Sequence, residues 1–321
     1  MGSEPATPVT PPRRRRLRLF ALGILAILLA PPLYFICIVR SCRPPWELPE
    51  QPREPVVLTG DLRTHQDFYS KLLDNKRTLT VYLPPGYERD APRRYPVLYM
   101  QDGQVLFDAS ACGQEWHVDE TAERLIAEGR IEPIIIVGIQ STMARINEYT
   151  PWRSEREKRG GKGGLYARFL IEEVKPFIDK TYRTMPGREH TAVAGSSLGA
   201  FISFYIATSF PEQFSMVGVL SPAGVRWADR RWLQETDIAV LRRLRVWIDE
   251  GTGEWEPDAQ QSVLAETRAF AKRCEDAGLT PGKDYIYKEF SNGKHEEAAW
   301  AARLDQVLLF FFPATERGPR P

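Results

Sequence analysis

The stretch Gly195-Ser196-Ser197-Leu198-Gly199 has the residue types and spacing of a nucleophile site. It follows an apolar run, Thr191-Ala192-Val193-Ala194, and precedes a helix-like one, Ala200-Phe201-Ile202-Ser203-Phe204-Tyr205. Strand, sharp turn and helix in that order would hold the Ser197 hydroxyl in a strained turn above a sheet, and the flanking glycines would let strand and helix cross closely. The chemistry this suits is attack on an acyl carbon. The following helix would aim its free N–H groups at the developing oxyanion, that of Leu198 first.

A nucleophilic serine needs a base, and sites of this type take the chain order serine, acid, histidine. Of the four histidines, His65, His117 and His190 precede Ser197, and only His295 follows it. His295 comes after a strand-like run (Tyr285 to Phe290) and the turn-forming Ser291-Asn292-Gly293-Lys294, just before a helix, where a loop can present an imidazole. The acid should follow the strand-like Leu244 to Ile248, where Asp249, Glu250, Glu254, Glu256 and Asp258 compete. Glu254 is the first candidate because Gly251-Thr252-Gly253 gives it a flexible loop, and Asp249 is the second. The task is to accept the Nδ1–H of the imidazole, fixing its tautomer and stabilising the imidazolium.

The elements that must position these residues alternate. Strand-like runs fall at Thr78 to Leu83, Tyr95 to Met100, Pro133 to Ile139, Thr191 to Ala194, Met216 to Leu220, Leu244 to Ile248 and Tyr285 to Phe290. Helical spacing marks Val118 to Glu128, Leu165 to Lys180, Leu198 to Ser209, Ser262 to Ala277 and Glu296 to Phe311. The pattern predicts an α/β fold with a mostly parallel central sheet and helices on both faces.

Together these segments resemble the α/β-hydrolase esterase family that includes enterochelin esterases, esterase D and feruloyl esterases. The likeness runs from about Leu79 to Phe312 and rests on Asp102-Gly103-Gln104-Val105-Leu106-Phe107-Asp108, Glu148-Tyr149-Thr150-Pro151, Gly251-Thr252-Gly253-Glu254 and His295-Glu296-Glu297-Ala298-Ala299-Trp300, besides the serine motif. The resemblance implies an α/β-hydrolase fold, backbone oxyanion donors from Gly103 and Gln104 beside Leu198, and Glu254 as the acid. It also implies that Trp116 and Arg145 border the substrate cleft, although Trp116 reads equally as packing. Many relatives carry glycine at the place of Ala200, where alanine is small enough to disturb little.

A chain of 321 residues with 43% hydrophobic and 26% charged residues has ample material for one large core. Net charge is +1, and outside the cluster Arg13 to Arg16 and Arg18 there is no basic stripe of the kind that binds nucleic acid. Four scattered cysteines exclude a disulfide framework and a paired zinc spacing, although Cys112 and Cys274 could pair. No cofactor or metal is called for. The oligomeric state is left open.

Leu19 to Val39 run 21 residues without a charge, and at about 1.5 Å per residue that spans a bilayer core of about 30 Å. Five arginines precede it, so the amino terminus should stay cytoplasmic and the rest cross. A cleaved signal is the rival, with a poor cleavage site at Ala30 before Pro31. The expected organisation is a basic segment (1–18), a transmembrane anchor (19–39), a Pro-rich tether (40–55), a single catalytic domain (56–313) and a tail (314–321). The domain would lie on the extracytoplasmic, periplasmic side, or be secreted if the segment is cleaved.

The expected activity is serine esterase chemistry through an acyl-enzyme, on a siderophore ester, a feruloyl or acetyl sugar, or a related small-molecule or glycan ester. Acyl transfer to a sugar or lipid acceptor uses the same residues. A catalytically silent envelope-binding domain would keep the fold without the chemistry.

Overall fold

In the computed structural model, residues 60–108, 113–154, 158–222 and 231–314 are described. The expected basic segment, anchor and tether lie outside them, as do Cys112 and the tail beyond Ala314. Among the described residues no helix is long and apolar enough to cross a membrane, and Cys274 is a free, buried thiol.

Ten strands and nine α-helices follow one another along these residues. An antiparallel pair, β1 (Asp61–Ser70) and β2 (Asn75–Leu83), leads to β3 (Val97–Gln101). Helix α1 (Val118–Ala127), strand β4 (Ile135–Ile139) and helix α2 (Arg145–Tyr149) come next, then a short hairpin of β5 (Arg153–Ser154) and β6 (Arg159–Gly160). Helix α3 (Gly163–Phe169) passes through a π-turn (Leu170–Val174) into α4 (Lys175–Thr181). Strand β7 (Thr191–Ser197), helix α5 (Leu198–Ser209), strand β8 (Met216–Pro222) and the short helices α6 (Arg231–Glu235) and α7 (Ile238–Leu241) follow. The chain closes with β9 (Arg245–Gly251), α8 (Pro257–Asp276), β10 (Tyr285–Phe290) and α9 (Glu297–Phe311).

Eight strands form one sheet in the order β1-β2-β4-β3-β7-β8-β9-β10. Only β1/β2 and β2/β4 pair antiparallel; the other pairs are parallel. Strands β3, β4 and β8 are buried along their whole length, as near-continuous apolar runs covered on both faces should be. Alternate residues serve opposite layers. Val97, Tyr99, Val137 and Val193 pack with Phe169, Val174, Ile178, Phe201 and Phe270 from α3, the π-turn, α4, α5 and α8. Leu98, Met100, Ile136 and Ala194 pack with Val118, Leu125, Leu304 and Val307 from α1 and α9. The expected α/β-hydrolase arrangement, a mostly parallel sheet with helices on both faces, is what the chain builds.

Three differences from the sequence expectation have physical causes. Strand β1 escapes the periodicity test because it is a largely exposed edge with a bulge between His65 and Phe68, so it lacks an apolar face. The single expected helix Leu165 to Lys180 contains a π-turn just before Pro176, whose missing N–H and ring bulk disturb the ladder there. Strand β9 runs on to Gly251, three residues past the expected end at Ile248, and so holds Asp249 within the sheet.

Strand order reverses at β3, which lies between β4 and β7. The crevice beyond the carboxyl ends of β3 and β7 is therefore the topological switch point, where ligands bind in open α/β sheets. Ser197 ends β7, and Asp102-Gly103-Gln104 directly follows β3.

Candidate active site

Ser197 ends β7 at φ 55°, ψ −127°, a strained backbone for a residue with a side chain, and α5 starts with the next residue. The two glycines of the turn are demanded by contact. A Cβ on Gly195 would lie 2.7 Å from the carbonyl carbon of Gly199, and one on Gly199 would lie 3.0 Å from the Cβ of Gln101. Ala200 is buried without disturbance.

His295 reaches this serine from the loop after β10. In the tautomer with its proton on Nδ1, the Ser197 hydroxyl donates to Nε2 at 2.9 Å and Nδ1–H donates to Glu254 Oε2 at 2.8 Å. The imidazole lies between two indoles, Trp255 at 4.8 Å and Trp300 edge-on at 5.0 Å between centroids. The structure thus brings Ser197, His295 and Glu254 together in one hydrogen-bonded chain.

The loops carrying the acid and the histidine are zipped together. Thr252 N–H donates to Phe290 O, Gly253 N–H to Gly293 O, and Asn292 N–H to Thr252 Oγ1. From α8, the Gln260 side chain accepts the N–H groups of Glu254 and Trp255 and donates to Gly251 O. Burial would push the Glu254 carboxyl up, but the hydrogen bond and charge of His295, with Ser221 and Arg303, hold it below the usual carboxylate range.

Asp249, the other candidate acid, does not touch His295. It is fully buried, accepts Trp247 Nε1–H at 2.6 Å and Ser221 N–H at 3.2 Å, and lies 3.3 Å from Arg303 Nη1. Burial raises its carboxyl to about 6 against the pull of Arg303.

The N–H groups at the start of α5 and of the 3-10 turn Gly103–Val105 have no acceptor within their own helices, so Leu198, Gly103 and Gln104 present donors at the switch point. Gly103 packs so tightly that a Cβ would fall 2.6 Å from the carbonyl carbon of Gly138. Asp102, at φ 58°, is clamped by Arg145 through two bonds of 2.7 and 2.8 Å. The Gln104 side chain is tied to Ser141 by two further bonds. Arg145 therefore meets the turn that carries the donors. Trp116 is 2% exposed, with its ring 5.5 Å from that of Trp300, so it packs behind the site rather than forming an open wall.

Among the described residues, Glu115, His117 and Glu120 form the one cluster whose ligand atoms lie within 4.8 Å of one another and could meet at a cation. The remaining histidines are elsewhere: His65 bonds Tyr182 Oη at 2.7 Å, and His190 is exposed at the opposite end of β7. Sequence reasoning missed Ser221, Gln260 and Arg303, and quoted Trp300 within a motif without giving it a role. Of the missed three, only Arg303 left a trace, as a charge within the apolar series Trp300, Leu304, Val307 of α9.

Comparison with known proteins places the chain among esterases. A xylanase/feruloyl esterase of Xylanibacter ruminicola, "Endo-1,4-beta-xylanase/feruloyl esterase", is 33% identical over 165 residues, 48% of this chain and only 20% of that longer protein. A solved ferulic acid esterase superposes with a TM-score of 0.62 at 23% identity, covering 79% of this chain and 98% of the other. The enterochelin esterase of Shigella flexneri does so with a TM-score of 0.59 at 18% identity, covering 84% of this chain and 61% of the other. The family description "Putative esterase" matches residues 70–311, and the chain belongs to that esterase family.

Proposed function

We propose that the protein hydrolyses a carboxylic ester through an acyl-enzyme on Ser197. The hydroxyl attacks the ester carbonyl as His295 Nε2 takes its proton, Glu254 stabilises the imidazolium, and the N–H groups of Leu198, Gly103 and Gln104 hold the oxyanion. His295 then protonates the leaving alcohol, and water, activated by the same imidazole, releases the acid. The observation that carries this reading is the unbroken chain from Glu254 Oε2 through His295 to Ser197 Oγ, at 2.8 and 2.9 Å. Membership of an esterase family supports it independently.

For the acyl part of the substrate, an aromatic acid of the feruloyl type is favoured by one exposed ring packed on the helix that follows Ser197. Trp152, 54% exposed, is held against Phe201 and Tyr205 at 6.0 and 6.2 Å, and Phe201 lies one helical turn beyond Ser197. Its open face suits a planar ring. The charge-free stretch 19–39 is proposed to anchor the enzyme with its catalytic domain on the extracytoplasmic side.

The test is turnover of a nitrophenyl ester and of methyl ferulate by the wild type and by Ser197→Ala. Hydrolysis should vanish in the variant, and a fluorophosphonate probe should label Ser197. Full activity in Ser197→Ala would overturn the assignment.

A further inference from the structure

We propose that Ser221 and Arg303 form a positioning clamp that holds Glu254 by one oxygen, leaving the other to fix His295 in the tautomer that can take the Ser197 proton. The inference rests on the reading of Ser197, His295 and Glu254 as the catalytic set.

The two oxygens of Glu254 are divided between tasks. Oε2 takes His295 Nδ1–H. Oε1 takes Gly251 N–H at 2.6 Å and the Ser221 hydroxyl at 2.5 Å, with Arg303 Nη2 3.5 Å away. A serine hydroxyl has one proton and two lone pairs, so its role depends on its other neighbours. Here those neighbours are the Trp300 indole N–H at 3.0 Å and Arg303 Nη2 at 2.5 Å. Both groups only donate. With its lone pairs filled by them, the Ser221 proton has one place to go, Glu254 Oε1. The hydroxyl is a fixed donor.

The clamp is itself braced from below. Asp249 Oδ1 accepts the Ser221 N–H and faces Arg303 Nη1, which holds Ser221 at φ 43°, a left-handed backbone uncommon for serine. The side chains of Arg303, Asp249 and Glu254 are 1%, 0% and 0% exposed, so one buried positive charge serves two buried carboxylates. Against the upward push of burial, the hydrogen bond and charge of His295, then the Ser221 hydroxyl and this cation, hold Glu254 below the usual carboxylate range. A protonated Glu254 could not accept Nδ1–H, and the imidazole would lose its orientation. Trp300 joins the two ends, because its N–H holds Ser221 while its ring packs on His295. Asp249, Ser221, Trp300 and Arg303 would thus act through Glu254 and His295 rather than on the substrate.

The test measures kcat and KM against pH on a nitrophenyl ester for the full-length wild type, Ser197→Ala, Ser221→Gly, Arg303→Met and Arg303→Lys, with rates scaled to total protein for Ser197→Ala and to fluorophosphonate-labelled sites for the others. Glycine accepts the backbone angle at 221, so Ser221→Gly isolates the hydroxyl even if Arg303→Met fails to fold. Losing the donor raises the proton affinity of Glu254, and losing the cation does so too while easing formation of the imidazolium. Both move the acid limb the same way. Ser221→Gly and folded Arg303→Met should lose about 10-fold to 100-fold in kcat with KM nearly unchanged, and their acid limbs should move up by about half a pH unit or more. Arg303→Lys, which keeps the charge, should recover most of the limb. A wild-type limb in Ser221→Gly, or a fall in rate at every pH with the limb unmoved, overturns the clamp. If ester turnover survives Ser197→Ala, it is the catalytic reading that fails, and the two failures are distinct.

Discussion

Gly251 and Gly293 meet so closely that a Cβ added to Gly251 would lie 2.4 Å from the Gly293 carbonyl oxygen and 2.6 Å from Glu254 Oε1. This is the seam between the loop that carries the acid and the loop that carries the histidine, and no side chain fits in it. Gly251→Ala must separate the loops or displace the Glu254 carboxylate. A displacement of about 1 Å at a catalytic group costs on the order of 100-fold in rate. The expected outcome for Gly251→Ala is therefore a kcat lower by about 100-fold, measured beside the melting temperature to show that the domain still folds. Activity within twofold of wild type would mean that the seam yields without moving the acid.

Arg145 offers a second test, on the oxyanion side. Its guanidinium grips both oxygens of Asp102, whose neighbours Gly103 and Gln104 supply two of the proposed donors. Lysine cannot reproduce a two-pronged grip, so Arg145→Lys is not conservative here. Loss of a whole oxyanion donor costs about 100-fold to 1000-fold in kcat, and loosening the turn that bears two of them should cost about 10-fold or more. If Arg145 acts through the turn, kcat falls and KM holds. A rise in KM at constant kcat would instead make Arg145 a direct contact for substrate.

The contrast between residues that could be read from the sequence and those that could not follows from how each is encoded. Ser197 and its glycines are legible because a strained turn between strand and helix needs a local run of residue types, and His295 because chain order leaves one histidine. The core strands are legible because β3, β4 and β8 are buried on both faces and so nearly all apolar. The choice between Asp249 and Glu254 was harder, since it turned on where β9 stops, a boundary set by pairing with β10 out to Gly251. Ser221, Gln260 and Arg303 lie 24, 63 and 106 positions from Ser197 and carry no motif. Their meaning arises only when β8, α8 and α9 converge on Glu254. Trp116 was ambiguous for the opposite reason, because an aromatic next to a motif reads equally as a wall or as packing.

Asp119 predicts how stability depends on pH. It is buried at the start of α1 beside Glu120, and burial, then the neighbouring carboxyl, raises it from 3.8 to about 8. A carboxyl that holds its proton more tightly when folded adds stability that is full below the unfolded value near 3.8 and is lost as pH rises through about 8. The wild-type melting temperature should carry a falling component over that interval. Asp119→Asn, which cannot ionise, should remove it and melt higher than wild type above pH 8, by about 3 °C or more. Thermal unfolding of the two proteins across that range checks the sign. Parallel curves would show that Asp119 ionises freely in the folded protein.

The packing reading of Trp116 makes the last prediction, and it separates stability from recognition. The ring is buried against Trp300, which in turn backs His295 and bonds Ser221. Removing a buried tryptophan side chain costs about 3 to 5 kcal/mol where the site cannot collapse. For Trp116→Ala the expected result is a large loss of stability in denaturant titration, together with a lower kcat, because the freed Trp300 no longer fixes the face of the imidazole. KM should change little, since a residue with 2% exposure offers substrate almost no surface. A KM raised severalfold with stability intact would place Trp116 on the cleft after all, and would require a movement of the adjoining loop that uncovers it when substrate binds.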